Sequence, residues 1–209
     1  MTKARPAVFI VFYFLVLCVS ASGIARAQQK SSLPAMPLPA HVALGEGEFS
    51  IDGNFGVVLK GYKEPRLERA RQRFLDTLSR ETGIPLWRQA IHNQPHFVVQ
   101  TAGPSSAVQQ LDEDESYHLE ISTTDVRLTA PNPIGVIHGL QTFLQLVRVT
   151  PRSFSVPVVT IDDQPRFPWR GLLIDSGHRF VPMPVLKRNL DGMEAVTSLC
   201  DYLQLRLLS

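Results

Sequence analysis

Residues 167–180 read FPWRGLLIDSGHRF, and the run GLLID inside them carries apolar residues that do not alternate with polar ones. A strand of that kind must be covered on both faces, as strands of parallel sheets are. From Pro182 to Val196 the sequence reads as a helix with Val185, Leu186, Leu190 and Met193 facing inward. Strand, loop and helix make one βα unit, which cannot close a sheet or bury its own faces. The pattern is that of the first eighth of a (β/α)8 barrel. A complete barrel takes roughly 250 residues, whereas Arg170 to Ser209 comprises 209 − 169 = 40. The chain is therefore expected to hold the opening of a barrel and no more.

Upstream the periodicity is different. Phe49 and Ile51 alternate with polar neighbours, Asp52-Gly53 marks a turn, and 55–59 makes a second strand, so the two read as a hairpin. EPRLERARQRFLDTLSRETG is a helix with Leu67, Ala70, Phe74, Leu75 and Leu78 on one stripe; Pro65 suits its first turn and Gly83 its C-terminal cap. Arg66, Arg69, Arg71, Arg73 and Arg80 lie mostly off the stripe and read as a solvated face. A strand at 96–102 leads through the polar loop GPSSAVQQLDEDE to YHLEISTTDVRLTA, a second hairpin with Tyr117, Leu119 and Ile121 facing in. A second helix follows in NPIGVIHGLQTFLQLVR, with Ile134, Ile137, Leu140, Leu144 and Val147 on one face, and then a strand at 156–161. Strands that mostly alternate and two amphipathic helices predict an α+β fold: an antiparallel or mixed sheet with both helices on one face.

The N-terminus has the layout of a secretory signal peptide. Lys3 and Arg5 precede an apolar run from Ala7 to Val19, and Ala25-Arg26-Ala27 offers a cleavage site. The run falls short of the roughly 20 residues that span a bilayer. The product is expected to be exported, periplasmic or secreted, with no membrane association after cleavage. Cys18 would leave with the signal, so Cys200 would be the only cysteine remaining and no internal disulfide could form. With 21 basic and 19 acidic residues and no basic stripe, nucleic acid is a poor candidate partner. The expected organisation is a signal peptide at 1–27, an α+β domain at 28–165 and a truncated barrel start at 166–209.

Two stretches carry a family resemblance: DVRLTAPNPIGVIHGLQTFLQLV, and VTIDDQPRFPWRGLLIDSGHRFVPMPVLKRNLDGMEAV. Together they resemble the N-terminal half of glycoside hydrolase family 20, the exo-acting β-N-acetylhexosaminidases, from about Leu33 to Val196. The resemblance implies an α+β domain preceding a catalytic barrel, and substrates that are glycans ending in GlcNAc or GalNAc. It implies no cofactor and no metal. It also implies a substrate-binding role for Arg170, whose fork of donors would hold the 3- and 4-hydroxyls of the terminal sugar; the other reading of Arg170 is a salt-bridged residue at a domain junction. Asp175 ends the strand without a role to inherit, and His178-Arg179 reverses the order of basic residues usual in the family.

Catalysis in this family is substrate-assisted: the 2-acetamido oxygen attacks the anomeric carbon while an adjacent Asp-Glu pair orients it and protonates the leaving group. Here the only Asp-Glu neighbours are Asp112-Glu113 and Asp114-Glu115, in a polar loop of the first domain, where they read as solvated. The catalytic residues are thus expected to be none within this chain, and the chain to be inactive alone. The family pattern is lost at Thr197, which reads as a frameshift or a shortened gene model; Leu199, Leu203 and Leu207 would continue the preceding helix. The alternative function is a non-catalytic module for carbohydrate association or assembly.

Overall fold

The computed structural model describes residues 33–86, 96–107, 110–151, 153–168, 170, 173–174, 180–195 and 204–205. Residues 1–27, expected to be a signal peptide, both cysteines, Asp175, His178, Arg179 and Thr197 lie outside them. The main sheet is built from β1 (His41–Ile51), β2 (Val57–Gly61), β3 (Phe97–Thr101), β4 (Tyr117–Ile121), β5 (Val126–Ala130), the short β6 (Arg148–Val149) and β7 (Phe154–Asp163). Helix α1 (Pro65–Thr82) lies between β2 and β3, and α2 (Pro133–Leu146) between β5 and β6.

The strand order is β1-β7-β4-β5-β3-β2, with β6 on β7. β2, β3 and β5 are mutually parallel, while β4 runs against both β5 and β7. β2, β3, β5 and β7 therefore share one direction. The crossovers β2-α1-β3 and β5-α2-β7 step the same way across the sheet. Since such crossovers are right-handed, both helices fall on one face, and α1 packs against α2 there. The expected mixed sheet with its helices on one side is what forms.

The expected second hairpin is present, with Leu119 opposite Leu128 and Glu120 opposite Arg127. The expected first hairpin is not. β1 pairs along its length with β7, and β2 sits at the far end of the strand order. The turn itself was read correctly: Asn54 N donates to Asp52 Oδ1 at 2.7 Å and Phe55 N to the Asp52 carbonyl at 3.1 Å. What separates the strands is Phe55, only 1% exposed, whose ring stacks on Phe143 of α2 and meets Phe97 of β3. Burying that ring carries the chain beneath the sheet to its other edge.

Helix α1 follows its pattern closely. Leu67, Ala70, Phe74, Leu75 and Leu78 are buried, and Gly83 takes the left-handed C-terminal conformation at φ 72°. Arg71 pairs with Glu68 and Arg80 with Thr77, whereas Arg66 reaches back to Ser105. Helix α2 keeps part of its expected face, with Ile134, Leu140 and Leu144 buried. Its deepest residues are Val136, Leu140, Phe143 and Leu146, and Ile137 and Val147 are only half-buried. The polar residues His138, Gln141, Thr142 and Gln145 recur at i, i+3, i+4 and i+7, and Val136, Leu140 and Phe143 lie on the side opposite that stripe. How closely the helix approaches the sheet is set by two glycines. A Cβ on Gly135 would lie 2.1 Å from the Ser116 carbonyl oxygen, and one on Gly139 would lie 2.3 Å from Leu128 Cδ1.

Beyond the sheet, β8 (Leu173–Ile174) pairs in parallel with β9 (Gln204–Leu205), and α3 (Met183–Ala195) lies between them in sequence. Residues 204–205 are thus extended. In α3, Leu186 and Met193 are buried and Val185 half-buried as expected, but Leu190 is exposed.

Gly135→Ala is expected to lower stability by about 1–3 kcal/mol, because the backbone oxygen it meets cannot yield like a side chain. Gly192→Ala, where a Cβ meets nothing within 4 Å, is expected to be neutral or to gain up to about 1 kcal/mol from helix propensity. Phe143→Ala, which opens the aromatic cluster, is expected to cost about 3–5 kcal/mol. Urea unfolding of the variants measures all of these.

Candidate functional site

Asn132 organises the region from which the site grows. Its side-chain oxygen accepts from Ile134 N at 2.9 Å and Gly135 N at 3.3 Å, capping α2. Its amide nitrogen donates to the Asp114 carbonyl at 2.6 Å. One residue thus ties the start of the helix to the loop before β4, and brings Glu115 against His138, one turn into α2. The connector after β7 then carries Arg170 to the same point.

The three side chains meet on one atom. Arg170 Nη2 donates to Glu115 Oε2, and His138 Nε2 lies 2.9 Å from that same oxygen. Arg170 Nη1 donates to the Phe167 carbonyl. The Glu115, Arg170 and His138 side chains are 4%, 11% and 14% exposed. Arg170 Nε is buried and has no hydrogen-bond partner among the described residues. Burial by itself would raise the Glu115 carboxyl. The His138 hydrogen bond, its charge and the Arg170 guanidinium outweigh that and hold it below the ordinary 4.5.

A cleft of about 270 Å³ opens beside the cluster, with Pro37, Leu38, His138, Phe167 and Arg170 in its wall. Its outer wall is the segment 36–40, which is pinned from two sides. Gln145 makes a reciprocal amide pair with the Met36 backbone at 2.6 and 3.1 Å, and Asp163 Oδ1 accepts from Ala40 N at 2.9 Å. Asp163 Oδ2 also accepts from the Tyr117 hydroxyl at 3.0 Å, and that hydroxyl lies 2.6 Å from Thr142 Oγ1. Burial, ahead of the Asp163 charge, pushes the Tyr117 phenol well above its usual range, so it stays a neutral donor.

This arrangement holds Arg170 at two of its nitrogens; it is unsuited to proton donation. A general acid needs a carboxyl held protonated near working pH, and Glu115 is shifted the opposite way. Among the described residues no group of three His, Cys, Asp or Glu side chains is arranged to hold a metal ion, and no helix is long and apolar enough to cross a membrane.

The acidic run 112–115 is solvated as expected at Asp112 and Asp114, half-buried at Glu113, and departs from the expectation at Glu115, which is buried. Glu113 accepts from Ser106 N at 2.8 Å, Asp114 accepts from Ser116 N at 2.9 Å, and Glu115 is buried in the cluster. Four adjacent acids coexist because three have been given separate donors. Extending the inward alternation of Tyr117, Leu119 and Ile121 one step backward falls on Glu115, and that step was the available signal. Arg170, expected either to contact sugar or to be salt-bridged at a domain junction, is engaged with Glu115 and Phe167.

The family model for glycosyl hydrolase family 20, domain 2, matches residues 33–164, and the chain belongs to that family. Beta-hexosaminidase 3 of Arabidopsis thaliana is 30% identical over 204 residues, covering 86% of this chain and 36% of that protein. The crystal structure of the Flavobacterium johnsoniae chitobiase superposes with a TM-score of 0.75 at 34% identity, over 81% of this chain and 26% of the other. A Vibrio harveyi exo β-N-acetylglucosaminidase solved in complex with N-acetylglucosamine shares the fold, with a TM-score of 0.64 at 21% identity over 80% of this chain and 24% of that one. The chain spans about a quarter to a third of the length of these relatives.

Because the folded-state pKa of Glu115 is depressed, its contribution to stability is full above the unfolded carboxylate value and is lost as pH falls through the lower, folded one. Thermal unfolding followed from neutral pH into the acid range is expected to reveal that loss below about pH 4.5. In Glu115→Gln that component is absent, and the mutant is less stable than wild type at neutral pH.

Proposed function

We propose that this chain is the N-terminal α+β domain, with the entry to the catalytic barrel, of an exported β-N-acetylhexosaminidase that removes terminal GlcNAc or GalNAc from glycans. The observation that carries the reading is the family match over 33–164 followed directly by the RGLLID segment, with Arg170 at the edge of an open cleft. The parallel pair β8 and β9, with α3 between them in sequence, supports a barrel entry, because parallel neighbours joined through a helix are its repeating unit. The relatives' names, and the sugar bound to the Vibrio harveyi enzyme, support the substrate class. The basic, apolar and small-residue order of 1–27 supports export.

In this reading Arg170 contacts the terminal sugar. A guanidinium has five N–H donors; one goes to Glu115 and one to Phe167, so enough remain for a pair of adjacent hydroxyls. The Asp-Glu pair, and the strands that would wall the sugar, are not supplied by these 209 residues. Incubating the purified chain with a chromogenic N-acetylglucosaminide is expected to give no release above a no-protein control. Release that disappears in Arg170→Ala would overturn the inactivity of the isolated chain.

A second reading, a non-catalytic carbohydrate-associated or assembly module, is favoured by one feature: the aromatic core and sheet close within 41–163 without help from the barrel. Glycan binding without turnover would support it.

A further inference from the structure

We propose that Glu115 is the positioning residue for Arg170, so that the α+β domain sets the orientation of the arginine at the barrel entry. The functional meaning of that orientation rests on the sugar-contact reading above; the positioning itself does not.

The geometry is that of a two-point clamp. A planar guanidinium held at one nitrogen can still swing about that bond. Arg170 is held at both terminal nitrogens by groups on different segments: the Glu115 carboxylate ahead of β4 and the Phe167 carbonyl in the connector. Two anchors fix the plane of the fork as well as its place. The carboxylate is itself immobilised. His138 shares the oxygen that Arg170 uses, and Asn132 fixes the backbone of the preceding residue. The neighbouring charged and titratable groups are engaged elsewhere or face solvent: Asp163 and Tyr117 bond to each other, and Arg166 is exposed in the connector.

Stability alone is a weak reason to keep this arrangement. A buried ion pair is often no more stabilising than apolar residues of the same volume, and fixing a conformation is the better-attested use. Arg170 Nε strengthens the point. It is sealed from solvent without a partner among the described residues, a cost that a freely placed arginine would avoid by turning. The clamp holds the side chain against that tendency, with Arg170 in the cleft wall.

The test uses the 209-residue chain, isotopically labelled for nitrogen NMR, with the Arg170 Nε–H signal assigned by its loss in Arg170→Lys. In wild type this proton is expected to exchange slowly with water. In Glu115→Gln, exchange is expected to speed up by about tenfold or more, the worth of a hydrogen bond to a charged group. Glu115→Asp is expected to recover part of the protection, and His138→Gln to lose part of it. Lowering the pH of wild type should release the same signal as Glu115 takes up its proton, and this titration should be missing from Glu115→Gln.

Exchange in Glu115→Gln within about twofold of wild type, well short of the charged-bond value, would overturn the proposal. So would rapid exchange in wild type. Should Glu115→Gln fail to fold, the wild-type titration and Glu115→Asp decide the matter. Adding N-acetylglucosamine afterwards probes the sugar reading separately: a shifted Arg170 signal would support that reading, and the positioning result stands in either case.

Discussion

The close seating of α2 on the sheet is the constraint on which the other features rest. Two glycines make it possible, one facing the Ser116 backbone and one facing Leu128 and Tyr117. Side chains at either position would push the helix outward, and the contacts along its length would open together. Phe143 would leave the aromatic cluster, Thr142 would leave the Tyr117 hydroxyl, and His138 would leave Glu115. Core and site are consequences of a single helix-to-sheet distance.

The charged cluster is a local departure from the rule that cores exclude ions. Glu115 is buried because its two partners are basic and its loop is fastened by Asn132. Removing either basic group would leave a carboxylate in a poor solvent, and the loop would have to reopen to hydrate it. The interaction therefore couples three segments distant in sequence: the loop before β4, the first turns of α2 and the connector after β7. An apolar contact there would join the same segments without dictating how the arginine points.

Much of this architecture was legible from residue order alone. Alternation located β4 and β5, and the stripe of Leu67, Ala70, Phe74 and Leu78 located α1, because in those elements one face is wet and the other dry. The sequence misled elsewhere. In α2 the inward face lies opposite the polar stripe of His138, Gln141, Thr142 and Gln145 and not around Ile137, and the closeness of its seating comes from glycine contacts that periodicity does not encode. The path from β1 to β2 was misjudged because a turn residue pair announces a reversal and not its partner, which was settled by Phe55 entering the core. The site was half legible. Arg170 stood out as a cation before an apolar run, but Glu115 was hidden among acids that individually look like solvent-exposed loop.

The irregularity in β1 has a consequence for the outer edge of the sheet. Residues 45–47 oppose the single residue Val158, next to Pro157, which breaks the ladder between Leu44 and Glu48. Val42 and Leu44 are exposed on this outermost strand, the combination that invites an unrelated polypeptide to dock by main-chain pairing. The bulge limits what such a visitor could gain, since continuous pairing would stop after a few residues and the twist would turn the remainder away. Gly45, where a Cβ would lie 2.6 Å from Val158 Cγ1, and Gly47, at φ 95°, are the residues that let β1 bulge past its proline-containing neighbour.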